Sequence, residues 1–287
     1  MPDPADRAVS AYELRRLQKA DDAVKAFCRI LIDENLPDLP RELVKETNFD
    51  AWHEGLLDEV SFWWTTIGAN RDGYYTFALD LIERRKPFEH MEHLSQFEDK
   101  DIYVLDVGSG PFTTLGTRWD GRELHLSLAD PLAPVFGSIL QLFRIPWNMD
   151  SRTTMGERLT RTFAAGTFHL VCAGNSLDHS VDPLLCIREM LEVAKPGATV
   201  LIRHIENEAA GGGYNGLHQW NFTEENGSAA IWNPLRRIRL EEELPSDLRI
   251  RVNRENGIPR DGQDWTDDWI EILIEKPFER DAPLGDA

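Results

Sequence analysis

A glycine-rich turn directly after an apolar run is the feature that most restricts how this chain can fold. The run Ile102–Val107 has the sequence IYVLDV, and Gly108-Ser109-Gly110 follows it without a break. Glycine takes positive φ angles and has no Cβ, so such a turn lets the backbone approach a ligand closely. The pattern predicts a strand and a ligand-binding loop at one edge of an α/β sheet.

Further apolar runs of strand length follow this turn, at residues 123–129, 168–173 and 199–204. Between the last two, residues 183–194 (PLLCIREMLEVA) carry apolar side chains at helical spacing and stop before Lys195-Pro196-Gly197. Strands that alternate with helices favour βαβ units. We therefore expect an α/β fold with a mostly parallel, doubly wound sheet.

The segments on either side of this region have a different pattern. Residues 1–98 lack strand-like alternation and predict a helical N-terminal cap or lid, with residues 11–32 as the clearest amphipathic helix. Trp63 and Trp64 in this segment suit a lid over a pocket, or the docking of helices onto the sheet. Residues 99–287 form the second predicted domain, in which residues 229–232, 248–252 and 269–274 are strand-like and predict an antiparallel β edge near the C-terminus.

Charge and composition restrict the partners. The chain has 287 residues, with 31 basic and 50 acidic ones, so its formal net charge is −19. Such a surface repels phosphate backbones and anionic lipids, so we expect a small-molecule partner and neither nucleic acid nor membrane. The three cysteines form no CxxC pair and the sequence has no HxxxH motif, so we expect no metal site. Without a signal-peptide pattern or a membrane-length apolar run, we expect a soluble, cytoplasmic protein.

Two acidic residues accompany the glycine turn. Asp106 lies two residues before Gly108 and suits a ligand that carries an ammonium and a sulfonium. Asp130 ends the next apolar run, where a carboxylate can accept both hydroxyls of a ribose, although Pro131 after it is equally compatible with a helix cap. The dinucleotide fingerprint needs a third glycine where this chain has Thr113, which disfavours a pyrophosphate site.

In combination these segments resemble the class I S-adenosylmethionine-dependent methyltransferases. The resemblance rests on VLDVGSGP, on Asp130 and on FHLVCAGNSLDHSVDPLLCIREMLEVAKPGATVLI, in that order, and covers residues 100–205. One departure is Ala198, where the K-P-G-G turn of the family has its second glycine. The resemblance implies a Rossmann-like fold, S-adenosylmethionine as cofactor and methyl transfer as the activity.

The resemblance also implies roles for individual residues. In that family the glycine loop wraps the methionine moiety, an acid after the second strand holds the ribose, and an acid after the third strand reaches the adenine amine. The implied cofactor contacts in this chain are Asp106, Gly108, Ser109, Gly110, Asp130, Pro131, Glu157 and Asn175.

The catalytic candidates are histidines. Methyl transfer needs alignment and, for an acceptor that holds a proton, a base. Ligands of open α/β sheets bind beyond the carboxyl ends of the strands, where His179, His218 and His204 are predicted to lie. His179 ranks first because its loop abuts the cofactor in the family, although each histidine can also serve packing alone.

The acceptor we expect is a small or sugar-like molecule methylated at oxygen. The alternatives are an NAD(P)-dependent oxidoreductase of the same sheet class and a cofactor-binding module without catalysis.

Overall fold

The computed structural model describes residues 49–119, 122–259 and 266–278, together with five positions between 22 and 30. The predicted helix over residues 11–32 lies largely outside the described residues. The longer described helices are α1 (Phe49–Ala69), α2 (Arg71–Ile82), α3 (Ala133–Leu142) and α4 (Pro183–Val193), and the single turns are α5 (Glu208–Gly211) and α6 (Leu240–Glu243).

The described residues also form ten strands. The first five are β1 (Asp101–Val107), β2 (Glu123–Asp130), β3 (Asp150–Thr153), β4 (Phe168–Gly174) and β5 (Ala194–Ile205). The last five are β6 (Asn221–Glu225), β7 (Ser228–Trp232), β8 (Arg237–Arg239), β9 (Arg249–Pro259) and β10 (Thr266–Glu275).

Seven of these strands form one sheet in the order β3-β2-β1-β4-β5-β10-β9. Strands β1 to β5 pair in parallel, and β10 runs antiparallel between β5 and β9. The α/β prediction with a mostly parallel sheet is therefore confirmed. The strand order reverses beside β1, so the carboxyl ends of β1 and β4 flank a topological switch point, where open α/β sheets bind ligands.

The C-terminal strands form the antiparallel edge that the sequence predicts, because β10 pairs antiparallel with both β5 and β9. Ile270, Ile272 and Ile274 of β10 are fully buried. The edge strand is β9, whose exposed Arg249 and Arg251 suit a position open to solvent on one side. The apolar run at residues 229–232 joins neither, since it lies in a separate antiparallel sheet of β6, β7 and β8.

The connection from β1 to β2 also differs from a regular doubly wound unit. Its described part, residues 108–119 with residue 122, contains no helix. The segment that follows α2 packs here instead: Thr117 Oγ1 donates to Leu81 O at 3.1 Å, and Phe88 N donates to Arg118 O at 3.1 Å. The N-terminal helices are thus tied to the first crossover of the sheet.

Apolar side chains of α1 and α3 share one core. Trp52, Leu56 and Val60 of α1 belong to the same buried cluster as Phe136 and Ile139 of α3. The domain boundary predicted near residue 98 stays a prediction. Among the helices of the described part, none combines the length and the apolarity that a membrane span requires.

Candidate functional site

An open cavity of about 210 Å³ lies at the carboxyl ends of β1, β2 and β4. Its walls include the glycine loop, residues 130–132, residues 155–157, the loop after β4 and one face of α1. Eight residues predicted from the sequence line it, and they are Gly108, Ser109, Gly110, Asp130, Pro131, Glu157, Asn175 and His179.

The glycine loop has the conformation that its sequence predicts. Gly108 and Gly110 have φ angles of +67° and +60°, in the region that residues with a Cβ avoid. A Cβ on Gly108 would lie 2.4 Å from the Ser176 side chain, whose hydroxyl donates to Val107 O at 3.0 Å. Glycine at position 108 therefore lets the loop after β4 close against the loop after β1.

Asp130 is held by the loop that it faces. Its Oδ2 accepts from Gly110 N at 2.9 Å, and its Oδ1 accepts from Leu132 N at 2.8 Å. Burial raises the pKa of this carboxyl to about 6, against the opposing effect of these two bonds. Helix α3 has Leu132 as its N-cap without a side-chain cap bond, so Asp130 does not cap the helix. Since each carboxylate oxygen accepts more than one hydrogen bond, the group can also take a pair of hydroxyls.

Asp106 lies beneath the glycine loop and outside the cavity lining. Burial raises the pKa of its carboxyl to about 7, while a hydrogen bond with Thr113 acts in the opposite direction. Thr113 is itself fully buried, and its Oγ1 accepts from Leu115 N at 3.0 Å. Thr113, which stands where the dinucleotide fingerprint has its third glycine, thus supports the glycine loop.

Glu157 and Asn175 line the cavity and also hold neighbouring loops. Oε1 of Glu157 accepts from Val181 N at 2.8 Å and from Asp182 N at 3.1 Å, just before α4. Burial raises the pKa of Glu157. Asn175 has a φ of 49°, and its Oδ1 accepts from Ile205 N at 3.0 Å. The sequence predicted ligand contacts here and missed both supporting roles.

The three predicted histidines converge on one buried carboxylate. Asp178 Oδ2 lies 2.5 Å from His218 Nδ1, and its Oδ1 lies 3.1 Å from His204 Nε2 and 3.7 Å from His179 Nε2. Burial alone would raise the pKa of Asp178, but the three histidines outweigh that effect and hold the pKa well below its usual range. The carboxylate therefore carries a negative charge in the interior.

The histidines differ in position and in basicity. Only His179 lines the cavity, and its Nε2 lies 3.2 Å from His218 Nδ1. Burial lowers the pKa of His179 to about 4, whereas the hydrogen bond with Asp178 raises the pKa of His218. His204 is buried with its ring stacked on Phe222 at 4.4 Å. His179 thus forms part of the cavity wall, whereas His218, which is hydrogen-bonded to Asp178, is the more basic of these two histidines.

Two sets of three side chains in this cluster are close enough together for each set to bind one metal ion. Within the described residues, single ligand atoms of Asp178, His179 and His218 lie within 4.8 Å of one another, as do those of Asp178, His204 and Glu208. The spacing of these residues along the chain gave no sign of a metal site, because the fold brings them together. The absence of a metal stays a prediction.

Helix α1 contributes Trp63, which the sequence analysis considered for a lid, and further cavity residues that it did not consider. Trp52, Leu56, Glu59 and Trp63 line the cavity, and their spacing of three or four residues places them on one helix face. Trp52 Nε1 donates to His179 O at 2.7 Å, and Trp63 Nε1 donates to Glu59 Oε1 at 2.7 Å. An acid on an otherwise apolar helix face was the available signal.

Comparisons with known proteins concern the fold. No protein-family model and no curated protein matches the sequence. One similar solved structure is a chain of the complex between the Haloferax volcanii Trm112 methyltransferase activator and a methyltransferase, with 12% identity over 75% of this chain and 96% of that chain, at a TM-score of 0.45. Another is an S-adenosylmethionine-dependent methyltransferase of Methanosarcina mazei, with 16% identity over 65% and 97%, at 0.40.

A third similar structure is the Burkholderia thailandensis 1,6-didemethyltoxoflavin-N1-methyltransferase with bound S-adenosylhomocysteine, with 13% identity over 76% of this chain and 87% of that chain, at a TM-score of 0.39. Most of the similar structures are S-adenosylmethionine-dependent methyltransferases. The sheet order and strand directions of the chain are those of a Rossmann-like α/β fold, as the sequence resemblance implies.

Proposed function

We propose that this protein binds S-adenosylmethionine in the cavity and transfers the methyl group to a small-molecule acceptor. The observation that carries the proposal is the pairing of Gly110 with Asp130. A glycine turn with positive φ lies against a buried carboxylate that is oriented by two backbone N–H groups and can still accept a diol. The sequence resemblance supports the same cofactor.

The cofactor, when bound, supplies a methyl group on a sulfonium, whose C–S bond breaks with the electron pair left on sulfur. In the proposal Asp130 holds the ribose, and the backbone of residues 108–110 contacts the methionine part. The apolar side chains of Leu132 and Met155 line the cavity close to Asp130 and suit the adenine ring. Oε1 of Glu157 is occupied by backbone donors, so a contact with the adenine amine falls to Oε2.

The acceptor side of the cavity is the histidine cluster. A hydroxyl that attacks a methyl carbon loses its proton, and His179 is the cluster member at the cavity wall. The positive charge that this proton brings is stabilised by Asp178, whose negative charge acts to raise the pKa of His179 against the effect of burial. This arrangement supports a hydroxyl acceptor, in which the new C–O bond uses an oxygen lone pair and the proton leaves to the histidines.

The alternatives lead to different results in one experiment. The protein is incubated with methyl-labelled S-adenosylmethionine and a panel of hydroxyl-bearing metabolites, with and without a chelator. Label on an acceptor and stoichiometric S-adenosylhomocysteine are expected. Tight cofactor binding without turnover on any acceptor would favour a non-catalytic module, and preferential binding of NAD would favour an oxidoreductase. Loss of turnover in the presence of the chelator would show that the histidine cluster binds a metal ion instead of accepting the proton.

The described residues lack one structural element that a nicotinamide-dependent oxidoreductase requires. A dinucleotide fold places a helix N-terminus under the pyrophosphate directly after the glycine turn. The described residues of the β1–β2 connection form no such helix. This observation supports the methyl-transfer proposal over a nicotinamide cofactor.

A further inference from the structure

Glu59 is a cavity-lining acid on α1 that the proposed mechanism does not use. It shares its wall of the cavity with Trp52, Leu56 and Trp63. Its Oε1 accepts one hydrogen bond, from Trp63 Nε1. Within the described part of the chain, Glu59 forms no ion pair with an Arg, a Lys or a His. A half-buried carboxylate of this kind is stable as an anion only when a cation compensates it.

The surroundings of Glu59 make that requirement stronger. Asp130 and Asp178 both lie close enough to repel a charge on Glu59, and His218 attracts it. Two other carboxylates thus act on Glu59, and His218 is the cationic group that opposes them. Burial and the two acids raise the pKa of Glu59 to about 7, whereas the bond from Trp63 opposes this rise. A ligand with positive charge removes the repulsion.

The place of Glu59 indicates which part of a ligand it meets. Trp63, its hydrogen-bond partner, packs over the glycine loop, with ring atoms 3.5–3.7 Å from a Cβ built on Gly110. Glu59 thus lies on the cavity wall beside the side chain that covers the glycine loop, and the charges of both Asp130 and Asp178 act on it. In S-adenosylmethionine the group between the ribose and the acceptor is the sulfonium.

We propose that Glu59 pairs with the sulfonium charge of S-adenosylmethionine, and that α1 thereby makes the site prefer this cofactor to S-adenosylhomocysteine. The inference rests on the proposed function. The two ligands share ribose, adenine and amino-acid groups, and they differ by the methyl group and the positive charge. After transfer the sulfur is neutral, so the carboxylate loses its partner and the product binds less tightly than the cofactor.

The test is calorimetry with both ligands on wild-type protein and on Glu59→Gln. Glutamine keeps an oxygen that accepts from Trp63 Nε1, so the substitution removes the charge and little else. We expect affinity for S-adenosylmethionine to fall about 10-fold or more and affinity for S-adenosylhomocysteine to change less than about 3-fold. The exposed Glu242→Gln on α6 is the matched control, with both affinities unchanged.

The possible results separate the inference from the proposed function. Equal weakening of both ligands would assign Glu59 to a group they share and overturn the sulfonium pairing. Unchanged affinity for both would place Glu59 outside the cofactor site and overturn it as well. If wild-type protein binds neither ligand, the proposed function fails first. Retained binding of S-adenosylhomocysteine by Glu59→Gln shows that the variant is folded.

Discussion

The two sides of the cavity are built in different ways. The cofactor side consists of strand ends and short turns, in which Gly108, Gly110 and Asp130 belong to two consecutive strand–loop units. The acceptor side is assembled from remote parts of the chain, since Asp178 meets His218 over 40 residues and Trp52 bonds to His179 over 127 residues. A site of the first kind is encoded locally, whereas the second kind depends on the whole fold. Substitutions on the two sides should therefore have separable effects.

On the cofactor side, a large effect on binding is expected from Gly108→Ala. Alanine at a φ of +67° is strained, and its Cβ would lie 2.4 Å from the Ser176 side chain. We expect affinity for S-adenosylhomocysteine to fall at least about 100-fold, measured by calorimetry. Gly137→Ala on α3 is the control, because a Cβ there has no atom within 4 Å. Equal behaviour of the two variants would remove the close-approach argument for the loop.

On the acceptor side, Asp178→Asn should slow turnover by roughly 10²–10⁴-fold, because the histidines lose the charge that stabilises an accepted proton. Affinity for S-adenosylhomocysteine should stay within about 3-fold of wild type, which separates the two sides. His125→Ala, near the amino end of β2, is the control and should leave turnover unchanged. Normal turnover of Asp178→Asn would show that alignment alone drives the reaction.

A comparable effect on cofactor affinity is expected for Asp130→Ala. The variant loses the carboxylate that takes the ribose hydroxyls, at a cost of about 1.5–3 kcal/mol of binding free energy for each charged hydrogen bond. Titration with S-adenosylhomocysteine measures this change. Asp130→Asn keeps one oxygen acceptor and should lose less affinity than the alanine variant. Affinity equal to wild type in Asp130→Ala would contradict the ribose assignment.

The smallest expected effect is a pH-dependent change in stability that isolates Glu59. Because its pKa rises from 4.5 to about 7 on folding, the folded state binds this proton more tightly than the unfolded state. Wild-type protein should therefore lose stability relative to Glu59→Gln as the pH rises from about 4.5 to about 7. The difference should reach on the order of 1–3 kcal/mol by pH 8 in ligand-free protein.

Chemical denaturation of both proteins at pH 5 and pH 8 measures that difference. The comparison cancels the titration of groups that do not interact with Glu59, whereas Asp130, Asp178 and His218, which act on Glu59, contribute to the measured difference. A difference in the free energy of unfolding that does not change with pH would show that burial and the neighbouring acids do not raise the pKa of Glu59.

The contrast between the two sides explains what the sequence could predict. Strand-length apolar runs, a glycine turn and an acid at the next strand end are local patterns, so the parallel sheet and the position of Asp130 followed from them. Asp178 appeared in the sequence only as a neighbour of His179. Its contacts with His204 and His218 depend on how β5 and the segment before β6 return to the switch point.

Other differences have the same physical origin. The run at residues 229–232 has the strand pattern predicted from its sequence, but pairing partners, not pattern, place it in a separate sheet. The family resemblance implied Glu157 as a ligand contact, and its bonds to Val181 N and Asp182 N became visible only with the tertiary structure. An acid on an apolar helix face was only a weak sign of function for Glu59, because the sequence does not show that a cavity lies against that face.

The most direct test of the account is a crystal structure of the protein with bound S-adenosylhomocysteine. Both ribose hydroxyls are expected within hydrogen-bond distance of the Asp130 carboxylate, with the amino-acid part over Gly108–Gly110 and the sulfur between Glu59 and His179. A ligand bound elsewhere, or a ribose without contact to Asp130, would contradict the central claim that this cavity is a methyl-transfer site.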